Sequence, residues 1–177
     1  MLTTTLPLML EVRQAAVRGV AVSGVLKPLD LKRFRPLLAG DEGAISAEIH
    51  FSRDEERRYL MRVAIVADVV VTCQRCLESM PAHLSSESTL AIVWTDEEAA
   101  HVPKQLDSLV VTDGPCNLWD VVEEELILAL PPYSYHETED CKLEIAAFSD
   151  PISYQETGDD KPNPFNVLAQ LKPGNKH

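Results

Sequence analysis

The sequence predicts an α+β protein, built as a twisted antiparallel β-meander, partly barrel-like, packed with two or three helices. Three observations carry that expectation. From Ala44 to Trp94 apolar residues recur at period two almost without a break, the pattern of half-buried strands. The connections between those strands are too short for the crossover that parallel neighbours need. Leu118 to Leu130 then shows helical spacing between a capping asparagine and a double proline.

At the start of the chain, Leu6, Leu8, Leu10 and Val12 alternate with Pro7, Met9 and Glu11. This fits a short opening strand, with Pro7 confining it to an edge. Gly19 to Gly24 is a second strand, closed by Lys27-Pro28. Asp30 is placed to cap a helix whose apolar positions are Leu31, Phe34, Leu37 and Leu38, interrupted or shortened by Pro36. Lys32, Arg33 and Arg35 lie on its polar side and join Lys27 in the densest positive cluster of the chain. They are candidate RNA contacts together with Arg75, and a solvated helix face is the plainer reading.

Ile45, Ala47, Ile49 and Phe51 define the next strand, Ser52 to Glu56 the turn, and Tyr59, Met61, Val63, Ile65, Ala67, Val69 and Val71 one face of a long return strand. That strand runs into Cys73-Gln-Arg-Cys76, after which the alternation resumes from Met80 to Trp94. Thr95 to Gln105 reads as a polar surface loop, and Leu106 to Val111 as a short strand broken by Asp113-Gly114-Pro115. Asn117 caps the helix from Leu118 to Leu130, whose apolar stripe is Leu118, Val121, Val122, Leu126, Ala129 and Leu130. Glu125 falls inside that stripe. The expected organisation is a single domain over residues 1–148, a mobile acidic linker over 149–161 and a helical tail over 162–177. In the tail, Asn163 and Pro164 open a short helix with Phe165, Leu168 and Leu171 on one face.

The chain has 177 residues and a formal net charge of −12. Phosphate repels such a protein, so broad nucleic-acid binding is disfavoured and a basic protein is the expected direct contact. No apolar run is long enough to span a membrane. The N-terminus lacks the basic region of a signal peptide, so a cytoplasmic location with reduced thiols is expected.

Cys73 and Cys76 supply half of a tetrahedral thiolate site, and His136 and Cys141 offer the other half, completing a Cys₃His set of the kind that holds structural zinc. Reduced structural cysteines are the competing reading. A redox pair is the weakest, because the cysteines do not open a helix within a βαβ unit. Cys116 has no partner at ligand spacing and reads as a small buried residue. Glu125, if buried, needs a counter-charge, for which Arg75 is a candidate. Glu123 and Glu124 read as a solvated acidic face. His50, His83 and His101 are isolated. No phosphate-binding glycine loop, Ser-His-Asp set or His-Glu-x-x-His is present, which leaves enzyme activity and a small-molecule substrate without support.

Four segments taken together resemble one family: Val71 to Leu77, Val122 to Pro131, His136 to Cys141, and Lys161 to Lys172. They are similar, in the same order, to the YceD family of large ribosomal RNA subunit accumulation proteins. The resemblance implies a non-enzymatic factor needed for 23S ribosomal RNA to accumulate, with no catalytic residue to carry over. Combined with the acidic charge, it leads to the expectation of a basic ribosomal or ribosome-associated protein as partner, with ribosomal RNA touched indirectly or weakly. Asp120, Glu123 and Glu124 would steer that partner, and Phe165, Leu168 and Leu171 would anchor it.

Overall fold

The computed structural model describes residues 4–112, 114–137 and 141. Its elements in chain order are β1 (Met9–Leu10), α1 (Val12–Arg18), β2 (Ala21–Leu26), 3₁₀ turns at Pro28–Asp30 and Arg35–Leu37, β3 (Gly43–Arg53) and β4 (Tyr59–Thr72). They continue with β5 (Ser79–Val93), α2 (Asp96–Ala99), β6 (Asp107–Val110), β7 (Cys116–Asn117) and α3 (Leu118–Ala129). Five strands form one sheet in the order β2-β3-β4-β5-β6, and β1 pairs with β7 in a second, two-stranded sheet. Among the described residues the larger sheet ends at β6 on one side and at β2 on the other, where Thr4 and Leu6 bond to Val25, and no barrel closes.

Period-two patterning accounts for the sheet's core. Ile45, Ala47, Ile49 and Phe51 of β3 and Met61, Val63, Ile65, Ala67, Val69 and Val71 of β4 are all buried. A shift of one residue in their pairing would turn every one of them to solvent, which fixes the register Ile49↔Val63 and Ala47↔Ile65. Onto this face pack α1, across β3 and β4, and α3, across β5 and β4. Phe34 and Leu126, both fully buried, fill the layer between; burying a side chain of this size contributes roughly 1.5–3 kcal/mol.

Four elements differ from the sequence expectation. The opening strand stops at Leu10, and α1 follows at once, burying Val12, Ala15 and Ala16 at helical spacing. Gly19, at φ +64°, ends that helix in the left-handed conformation that glycine adopts without strain. The helix expected after Asp30 does not form. Instead the Asp30 carboxylate accepts the Lys27 N–H at 2.8 Å, which fastens the turn at Pro28–Asp30, and Pro36 sits in the second turn. The expected loop after Thr95 contains α2, capped by the Thr95 hydroxyl, which accepts from Glu98 N–H. Finally, β6 pairs with β5 in parallel; residues 94–106, with α2 among them, supply the long crossover that this pairing requires.

The N-terminal segment is held by several contacts. Trp119 donates its indole N–H to the Leu6 carbonyl at 2.9 Å, and Arg13 lies over the Trp94 ring at 4.2 Å, beside the edge-to-face Tyr59–Trp94 pair. Near Leu6 the backbone of Thr5 and Leu6 crosses Gly24 so closely that a Cβ there would sit 2.3 Å from the Leu6 nitrogen. Gly24→Ala is therefore expected to lose about 1–3 kcal/mol of stability. Chemical denaturation would show it, and an unchanged midpoint would mean that the crossing segment is not held where it lies.

Candidate metal centre

The long strand β4 ends at Thr72, and the next residues fold back through a tight corner. Cys73 N–H donates to the Glu78 carbonyl at 2.8 Å, Leu77 N–H to the Cys73 carbonyl at 2.9 Å, and Leu77 takes a left-handed φ of +64°. The loop after α3 is tied to this corner by a backbone bond from Gln74 N–H to the Ser134 carbonyl at 2.8 Å. Pro131 and Pro132 end α3 and direct the chain there.

The result brings together all four predicted ligands. The Sγ atoms of Cys73 and Cys141 lie 3.5 Å apart and Cys76 Sγ lies 3.3 Å from His136 Nδ1. The four ligand atoms all fall within 4.8 Å of one another. Metal–sulfur bonds of about 2.3 Å in a tetrahedron give sulfur–sulfur edges of roughly 3.8 Å, so the cluster needs only small adjustments to hold a zinc-sized ion. The four cysteines are free thiols, and a 3.5 Å sulfur separation is far beyond a disulfide bond.

The electrostatics favour sulfur in its anionic form at Cys73. Burial alone would push its thiol up, but backbone N–H groups at Cys76, His136 and Arg75, with the Cys141 thiol, hold it down at about 5. Cys141 is pushed up to about 11, by burial first and then by its contact with Cys73. Cys73 and Cys141 are buried while Cys76 and His136 are half-buried, so an ion has an approach from one side. With four protein ligands, no position is left for a reacting water, which is the arrangement of a structural site.

The other predicted residues are distributed differently. Arg75 does not pair with Glu125; its guanidinium stands 5.2 Å from the Tyr135 ring. Glu125 accepts a hydrogen bond from the Ser86 hydroxyl at 2.9 Å, so a neutral donor satisfies it where a cation was expected. Glu123 does not belong to a solvated acidic face. It is 4% exposed, and its Oε1 accepts the backbone N–H groups of Arg33 at 2.6 Å and Phe34 at 3.1 Å, which removes it from the partner-facing set. Asp120 and Glu124 are exposed. In the basic cluster, Arg33 pairs with Glu124 at 2.8 Å and Arg35 with Asp41 at 2.6 Å, whereas Lys32 is exposed and pairs with no carboxylate among the described residues. Cys116 is buried, as expected. Phe165, Leu168 and Leu171, with the linker and tail, lie outside the described residues.

Comparison with known proteins then places the chain. Residues 61–172 match the family model described as large ribosomal RNA subunit accumulation protein YceD. The chain belongs to the YceD family. A relative named large ribosomal RNA subunit accumulation protein YceD, from Haemophilus influenzae, is 29% identical over 168 residues, covering 94% of this chain and 96% of its own. No solved structure matches. The matched YceD segment contains the corner, α3 and all four ligands, and begins within β4. Among the described residues no helix is long and apolar enough to cross a membrane.

Proposed function

We propose that this protein is a cytoplasmic factor without catalytic machinery of its own, on which accumulation of large-subunit ribosomal RNA depends, and that it acts through a basic protein partner. The family match over residues 61–172 carries the first half of this reading. The charge distribution supports the second half. The net charge is −12, and Arg33 and Arg35, which would have to meet phosphate, are already paired with Glu124 and Asp41. Those two guanidiniums would have to give up their carboxylate partners before they could meet phosphate.

In this reading Cys73, Cys76, His136 and Cys141 hold a structural zinc. The ion would cross-link the β4–β5 corner to the loop after α3 and leave the acidic side of that helix in a fixed orientation. The backbone donors around Cys73 keep its sulfur anionic for that purpose.

The test is affinity capture with the full-length chain, with and without nuclease. Basic proteins of the large subunit or its precursors are expected to remain bound after nuclease treatment and to be released by salt. Capture of ribosomal RNA alone, lost on nuclease treatment, would replace the partner reading with direct RNA binding.

A further inference from the structure

The sheet has an edge that no element covers among the described residues. Val111 donates its N–H to the Val93 carbonyl at 2.8 Å. Because N–H and C=O groups alternate sides along a strand, Ser108 and Val110 of β6 turn theirs away from β5. Those groups have no hydrogen-bond partner among the described residues. Exposed edges of this kind can pair with another strand, and proteins often blunt them with short strands, charges or proline; β6, Asp107-Ser-Leu-Val110, is short and carries one acidic charge but neither lysine nor proline.

Beside this edge a groove of about 660 Å³ runs between β6 and α3. Its apolar surface includes Leu128, 75% exposed on the outer side of α3, with Val110 and Met9. Its rim is acidic. Asp107, Asp120 and Glu124 line it together with one cation, Arg33, which is paired with Glu124 and also interacts with Asp120, so the carboxylates outnumber it three to one. Open backbone, apolar floor and negative rim together specify one kind of ligand.

We propose that this edge and groove dock an extended basic segment of the partner protein, which joins the sheet as a sixth strand. Its backbone bonds to Ser108 and Val110, its apolar side chains on the sheet face away from α3 rest against Val110, and the alternate lysines or arginines on the α3 side meet Asp107 and Asp120 with their aliphatic stems against Leu128. This rests on the reading above that the partner is a basic protein, and adds where and in what conformation it binds.

Amide hydrogen exchange and peptide binding on the full-length chain test it. In the free protein the amides of Ser108 and Val110 are expected to exchange rapidly while that of Val111 is protected. A short fluorescein-labelled peptide alternating lysine and valine should slow them, and N-methylation of alternate peptide residues should weaken binding at least about tenfold. The double variant Val110→Lys, Leu128→Lys changes only exposed side chains and should show the same loss with an unaltered melting curve. Protection of Ser108 and Val110 in the free chain would overturn the proposal, since a second copy or this chain's own residues would then hold the edge. Binding that ignores N-methylation would also overturn it. In affinity capture, nuclease-resistant basic proteins retained equally by the double variant would sink the docking site and leave the partner reading standing. Loss of every protein with nuclease from the wild-type chain would remove the partner reading itself, and the docking site with it.

Discussion

Replacing Glu123 with alanine is expected to destabilise the protein by about 3 kcal/mol, a large effect for one surface-helix carboxylate. The reason is that Glu123 is not on the surface. Its carboxylate reaches across to the segment between the two 3₁₀ turns and accepts two backbone N–H groups, those of Arg33 and Phe34. Neither donor has another acceptor among the described residues, and a buried donor left without a partner costs roughly 1–3 kcal/mol. Phe34, fully buried, is held in the core by the same turn, so the loss would loosen its packing as well. Glu123→Gln keeps one acceptor oxygen in the same place and should recover much of the loss, giving up mainly the charge assistance. Glu124→Ala, one residue along and exposed, should change stability by less than about 1 kcal/mol. Equal midpoints for Glu123→Ala and Glu124→Ala in chemical denaturation would show that the helix-to-turn bond contributes nothing.

The second large effect concerns the cysteine–histidine cluster. Protein purified without chelator is expected to carry about one zinc per chain, and Cys76→Ser to carry almost none. Structural zinc commonly contributes several kcal/mol or more to folding. For a chain of this size a loss of about 4 kcal/mol corresponds to a fall in Tm of roughly 10 °C. Cys116→Ala is the control. That residue is buried but lies outside the cluster, so it should lose stability through packing while keeping its metal. Elemental analysis with a thermal melt in the presence and absence of EDTA decides the matter. Metal-free wild-type protein whose melt ignores EDTA and added zinc would return the cluster to reduced structural thiols.

The ligand set and the main sheet were legible in the sequence because each rests on a regular signal. Alternation from Ile45 to Val71 gives strand and face at once, and Cys73-x-x-Cys76 with His136 and Cys141 offers the complementary halves of a thiolate site, while the other histidines stand isolated and Cys116 has no partner at ligand spacing. What stayed hidden depended on distant partners. No local pattern shows that Glu123 will bond backbone groups 89 and 90 residues away, and a run of three glutamates looks like solvated helix. The helix after Asp30 failed for the same reason: the segment's orphan N–H groups found a carboxylate on α3, so a continuous helix was not needed to satisfy them. The Ser86–Glu125 pair left only half a trace: Glu125 falls inside an apolar helix stripe, but Ser86 is one of two serines, with Ser88, on its strand face. Arg75 was the wrong partner because the corner turns it toward Tyr135. The short α1 was missed because Val12 completes an alternation that begins at Leu6, and the change of period takes place inside one residue pair.

The bond from Gln74 to Ser134 and the approach of Cys73 to Cys141 close a loop 68 residues around, which contains β5, α2, β6, β7 and α3. Closing a loop of that span costs the folding chain on the order of 4 kcal/mol of entropy. It also makes the corner a late event in folding, because its two halves meet only after α3 has docked on the sheet. Metal capture would therefore mark chains that have finished folding, and those that stall before α3 docks would expose the unsatisfied backbone of the Arg33–Phe34 turn together with two unpaired halves of a thiol site.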